Sequence, residues 1–146
     1  MNNQELQQQY QRGKRDFSEL ILLEIELLNL DLSDTDFSRS DLRQSRLGRT
    51  RFCRTNFTQC NLSESILWGT DLSAATLTQA QLREADLSGA ILIDACLEQA
   101  NLTKASLSGA NMTGAKLLGA KLLEADCRST ADQRTDLGQV DFRGAD

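Results

Sequence analysis

Six arginines (Arg39, Arg43, Arg46, Arg49, Arg51 and Arg54) crowd 16 positions of the stretch SRSDLRQSRLGRTRFCR. Clustered guanidinium groups are the usual means of gripping phosphates, so the first chemistry to weigh is nucleic-acid contact. The chain around them is acidic, with a formal charge of −5, too mild a balance to name a partner. Metal and nucleophile chemistry have little to work with. Cys53, Cys60, Cys96 and Cys127 form no CxxC pair and histidine is absent, which removes the common zinc sites and the histidine-dependent triads. We therefore expect no enzyme, with no catalytic residue, cofactor or metal site. The polar start MNNQELQQQYQRGKRDF lacks the apolar core of a signal peptide, and no apolar run reaches transmembrane length. The expectation is a cytoplasmic protein with reduced thiols and no membrane contact.

What positions the arginines is a repeat. Every fifth residue from Phe17 to Leu122 is Leu, Phe or Met, 22 times in succession, and all five phenylalanines obey the register, Phe142 included. Two residues before each centre from Phe37 to Cys127 stands a small residue, which is alanine eleven times running from Ala75 to Ala125. Neither a helix nor a strand has a period of five, so the pattern predicts a solenoid.

The segments ADLSG (85–89), ANLTK (100–104), ASLSG (105–109) and ANMTG (110–114) resemble the pentapeptide-repeat family, whose pattern is A(D/N)LXX. The resemblance runs from about Asp16 to Asp146, and the chain looks like cyanobacterial members with a short N-terminal helix. It implies an all-β fold, a right-handed quadrilateral β-helix with four pentapeptides to a 20-residue coil. The centre and the small residue would point inward, the other three to solvent. Gly69, Gly89 and Gly109 then stack at one corner, where Ser-Gly pairs suit turns with positive φ at the second central residue.

Two segments break the pattern. Residues 1–15 are expected to form a helical cap, with Asn2 as N-cap, Glu5 completing a capping box and Gly13 as the stop; Leu20, Ile25 and Leu30 fit an end coil beneath it. In CRSTADQRTDLG (127–138) the next centre would be Asp132, which a dry column excludes. Residues near 128–135 should bulge as a loop or replace one side, over Leu118 and Leu123, inside a β-helix domain of 16–146.

A 20-residue coil sets residue n beside n+20, about 4.8 Å away. Glu19 then lies beside Arg39, Glu26 beside Arg46, Asp31 beside Arg51 and Asp34 beside Arg54, with Asp71 on the far side of Arg51. The same rule pairs Lys116 with Asp136, Lys121 with Asp141, and Lys104 with Glu84 and Glu124. The arginines thus read as structural ion pairs encircling the rod, with no direct nucleic-acid role. Arg43 and Arg49 have no stacked acid. Trp68, the only tryptophan, points outward one coil above Gly48 and diagonal to Arg49, as a binding hot spot would; the structural alternative is a ring lying flat over Gly48. Arg43, Arg49 and Trp68 are the candidate partner-binding residues.

The expected function is a non-enzymatic protein–protein interaction module or scaffold, its protein partner unidentified, with a homodimer through the open C-terminal coil as a further expectation. The alternative, implied by family members that bind DNA gyrase and protect it from quinolones, is a DNA mimic. The net charge lies wholly in residues 61–146, where 7 basic residues face 12 acidic ones.

Overall fold

The computed structural model describes residues 1–146, in which a single α-helix precedes a four-sided solenoid. Parallel bridges join Asp16 to Asp36, Ile21 to Asp41, Glu26 to Arg46 and Asp31 to Arg51, and continue at the same 20-residue step to Ser106 and Asp126. Each bridge is one residue long. Continuous strands, expected of an all-β fold, do not form, because the chain turns again after every bridge residue.

Residues 55–59 show how one side is built. Thr55 N–H closes the turn onto Phe52 O, and Asn56 N–H donates to Thr35 O of the preceding coil. Phe57 and Gln59 N–H donate forward to Thr76 O and Thr78 O. Only Thr58 N–H lacks a main-chain acceptor, and Asn56 Oδ1 takes it at 3.0 Å. The same Asx bond recurs from Ser18 N–H to Asp16, Ser33 to Asp31, Ser73 to Asp71 and Thr113 to Asn111. Where an Asp or Asn precedes the centre, it therefore does more than face solvent: it satisfies the one donor the ladder strands.

The second residue after each centre has positive φ, and it is seldom glycine. Glu19, Arg39, Arg49, Gln59, Glu84 and Lys104 all lie between 56° and 59°. That conformation opposes L side chains, and it is held by ladder bonds such as Arg39 N–H to Thr58 O.

Inside, the centres from Phe17 to Leu117 are buried. Phe17, Phe37 and Phe57 stack on one side, while Phe52 meets Phe37 and Phe57 edge-on. Before Ala75 the small inward residue is mostly Ser or Thr, and each hydroxyl finds a centre carbonyl: Ser40 donates to Phe17 O at 2.8 Å and Thr50 to Leu27 O at 2.7 Å. Cys60 is an inward apolar residue whose thiol pKa burial raises. The repeat pattern assigns Cys53, the residue after a centre, to the solvent side; it is buried instead, against Asp71, with burial and then that carboxylate raising its pKa.

The helix α1 (Asn3–Gln11) closes the first coil. Its capping box is complete, with Glu5 N–H on Asn2 Oδ1 and Asn2 N–H on Glu5 Oε2, and Gly13 follows the C-cap Arg12 at φ +97°. Leu6 is buried and the Tyr10 hydroxyl donates to Ser33 O. Ile25 is buried beneath the cap, with Leu20 and Leu30 packed against the core.

At the other end the register changes. Asp126 still pairs with Ser106, but Asp136 pairs with Asn111 and Asp141 with Lys116, 25 residues apart. One extra pentapeptide is thus looped out between Asp126 and Asp136, which is why Leu137 and Phe142 return in the five-residue register. The stacks expected between Lys116 and Asp136 and between Lys121 and Asp141 are therefore replaced: Asp141 lies beside Lys116 and Asp146 N–H reaches Ala120 O. The loop does not cover Leu118 and Leu123, which are exposed. It folds back over the glycine corner instead, where a Cβ on Gly109 would come within 3.3 Å of Gln133 Cβ and one on Gly89 within 3.5 Å of Gln133 Oε1. Thr135 Oγ1 accepts from Gly109 N–H at 2.8 Å and secures it.

Two outcomes follow from the Asx bonds. Asn56→Ala should lower unfolding stability by about 1 kcal/mol, while Thr76→Ala, one coil on and without a side-chain hydrogen bond, should change it by less than about 0.5 kcal/mol; urea denaturation measures both. The pKa values of Asp16 and Asp31 are lowered by the hydroxyl and N–H of the serine two residues on, and that of Asp141 falls to about 2 through the Arg143 side chain and N–H. At Asp71, burial pushes upward and the bonds from Ser73 outweigh it. Depressed carboxyls stabilise the fold fully above the unfolded value of about 3.9 and lose that contribution as pH falls through the folded value. Melting temperature should fall below about pH 4 through these groups, and Asp71→Asn, which keeps the acceptor, should flatten that fall; an unchanged acid limb would contradict the assignment.

Candidate protein-binding corner

The arginine belt is almost wholly neutralised by carboxylates. Arg39 meets Glu19 at 3.1 Å, Arg46 meets Glu26 at 2.8 Å, Arg51 meets Asp31 at 3.2 Å and Arg54 meets Asp34 at 2.6 Å. Arg51 turns to Asp31, and Asp71 is held by the N–H and hydroxyl of Ser73. Further along, Lys104 reaches Glu124 at 3.7 Å, while Glu84 is taken by Arg83. All these side chains are largely exposed, so each pair contributes about 0–1 kcal/mol.

Arg43 has no stacked acid, yet it is paired. Its guanidinium holds Asp41, two residues back in the same pentapeptide, through Nε and Nη2 at 2.9 and 2.7 Å. The 20-residue rule misses it because the partner lies along the coil and not across it. Arg43 lines a shallow depression with Leu23, Gln44 and Glu64, apart from the residues around Trp68. Of the three candidates, the structure brings Arg49 and Trp68 together and leaves Arg43 on another side.

Arg49 is the one arginine of the belt without an ion pair. Its guanidinium lies over the Trp68 ring, 4.4 Å from the centroid, and its stem runs beside Gly69, where a Cβ would meet Arg49 Cγ at 3.6 Å. Beneath the indole is Gly48, where a Cβ would stand 2.7 Å from Trp68 Nε1. The flat ring over Gly48 and the stacked arginine are thus one arrangement. Trp68 keeps 40% of its surface exposed and Ile66 keeps 38%; with Leu28, Asn29 and Arg46 they line a shallow hollow.

A four-sided solenoid with a five-residue repeat, carrying a flat aromatic–guanidinium corner, defines the class. The chain belongs to the pentapeptide-repeat family: residues 31–69, 55–92, 69–103 and 90–126 match the family described as pentapeptide repeats, in eight copies. It is similar to the crystal structure of HetL, a pentapeptide repeat protein involved in heterocyst differentiation regulation from the cyanobacterium Nostoc sp. strain PCC 7120, with a TM-score of 0.95 and 52% identity. That match covers 96% of this chain, and the chain spans only 59% of HetL. A pentapeptide repeat protein of the Arabidopsis thaliana thylakoid lumen is 32% identical at a TM-score of 0.55, over 62% of this chain and 66% of that one. QnrB1, a plasmid-mediated fluoroquinolone resistance protein, is 20% identical at a TM-score of 0.40 over 89% of this chain and 86% of that one. No curated protein matches. No helix is long and apolar enough to cross a membrane.

Gly48→Ala tests the corner directly. The new methyl should lift the indole off its seat, shift the emission of this sole tryptophan to longer wavelength and raise its acrylamide quenching, since Trp68 stacks nowhere else. Unchanged emission would show that the ring does not rest on Gly48.

Proposed function

We propose that the chain is a non-enzymatic interaction module, a right-handed β-helix of residues 16–146 capped by residues 1–15, which docks a protein partner at the Arg49–Trp68 corner. The observation that carries this reading is the contrast within the arginine belt. Five of its six arginines hold carboxylates, and the sixth is stacked on the only tryptophan with its donors unused. An exposed Trp beside an Arg is the composition of an interface hot spot. Similarity to HetL makes a regulatory complex the natural setting. Four free cysteines fit a reducing, cytoplasmic one.

The gyrase-mimic reading has less support, since a duplex mimic needs a continuous acidic surface and the Arg–carboxylate pairs interrupt it from Glu19 to Arg54. Nor does the homodimer through the last coil belong to the proposal. Leu137 and Phe142 are exposed there, but further coils could equally cover them in a chain of HetL's length.

Affinity capture with the full chain tests the module. Trp68→Ala and Arg49→Glu should each reduce recovery of the specific partner about tenfold or more, with melting temperature little changed. Arg83→Ala, on another side, should leave recovery intact. Equal recovery by all four proteins would remove the corner.

A further inference from the structure

We propose that the Arg49–Trp68 corner takes a side-chain carboxylate of an acidic, extended protein segment, with an apolar residue of that segment alongside. This rests on the docking corner above and names the chemistry of its occupant. Stacking settles the guanidinium over the indole, 4.4 Å from its centroid, and Gly48 settles the indole in turn. One face of the guanidinium is thereby dry, while its N–H donors project in plane towards solvent. No carboxylate of the chain meets them, although carboxylates meet every other arginine of the belt. An oriented, uncompensated fork of donors fits a carboxylate bidentately.

The surroundings choose among anions. Exposed Ile66 and half-buried Leu28 line the hollow beside Trp68, so an apolar side chain next to the carboxylate is accommodated. Glu26 holds neighbouring Arg46, and Asp86 stacks directly beyond Ile66. A nucleic-acid backbone tracking across this corner would meet both acids, whereas a single carboxylate flanked by apolar residues avoids them. An acidic peptide is favoured over a phosphate polymer for that reason.

Trp68 is the only tryptophan, so its emission reports this corner alone. The full chain would be titrated with a blocked six-residue peptide of Ser and Leu with one central Glu, with the Gln-for-Glu peptide, with inorganic phosphate and with oligothymidylate. The Glu peptide should change the emission saturably and bind about tenfold more tightly than its Gln counterpart, weakening as salt is raised. Arg49→Gln should abolish that preference, Arg49→Lys should reduce it because the stacked fork is lost, and Arg43→Gln should leave it intact. Equal binding of both peptides, an unaffected Arg49→Gln protein, tighter binding of phosphate or oligothymidylate, or no response to any probe would each overturn the assignment. If the peptide fails while partner capture still depends on Trp68, only the acidic-segment chemistry falls; if capture is also indifferent to Trp68, the docking corner falls with it.

Discussion

The structure depends on how main-chain donors are satisfied in a chain that turns every five residues. Two N–H groups of each pentapeptide bond forward, one bonds back and one closes the turn, as residues 55–59 show. The fifth is left over, and in the pentapeptides where an Asp or Asn precedes the centre, that side chain takes it. Since all backbone bonding is local or to the adjacent coil, one large apolar residue in five suffices for the interior. The small inward residue follows from the same geometry: alanine permits close approach, and where Ser or Thr replaces it the hydroxyl returns a bond to a centre carbonyl.

Side chains on such a rod have few neighbours, and those neighbours are set by the coil. A charged residue meets the residue one coil before, the residue one coil after, or one within two positions along the same side. Charge is therefore neutralised in short, repeated pairs, each of small energetic value, and an arginine without one is conspicuous. Arg49 is that case. Trp68 stands one coil on because Gly48 leaves room below it, and the glycine at position 69 leaves room for the arginine stem. Two glycines, an indole and a guanidinium make a rigid feature on a surface otherwise composed of interchangeable polar columns.

Much of this was legible in the residues. The period of five locates every buried centre from Phe17 to Leu117, the capping box places α1, and the 20-residue step anticipates the pairs of Arg39, Arg46, Arg51 and Arg54. What escaped was whatever acts within a pentapeptide or depends on side-chain volume. The Asp41–Arg43 pair and the Asx bonds span two residues, a distance the stacking rule ignores. Cys53 is buried because small Ser33 and Ser73 flank it and Asp71 folds against it. Positive φ at Glu19 or Arg39 carries no glycine to announce it. The loop near 128–135 was announced by Asp132 at a centre position, but the register beyond it was not. An insertion of one whole pentapeptide preserves the period while displacing every later stack, and the bridges from Asn111 to Asp136 and from Lys116 to Asp141 reveal it. The glycine corner was visible as a column, but its use as the seat of Gln133 was not.

The central claim is that partner contact is confined to one corner while the remaining columns serve the fold. Photo-cross-linking from a benzophenone amino acid measures this most directly, placed at Ile66 beside Trp68 or at Ile93 on a different side of the rod. The account predicts a partner adduct from position 66 and none from position 93. Adducts from position 93, or equal yields from both, would contradict it.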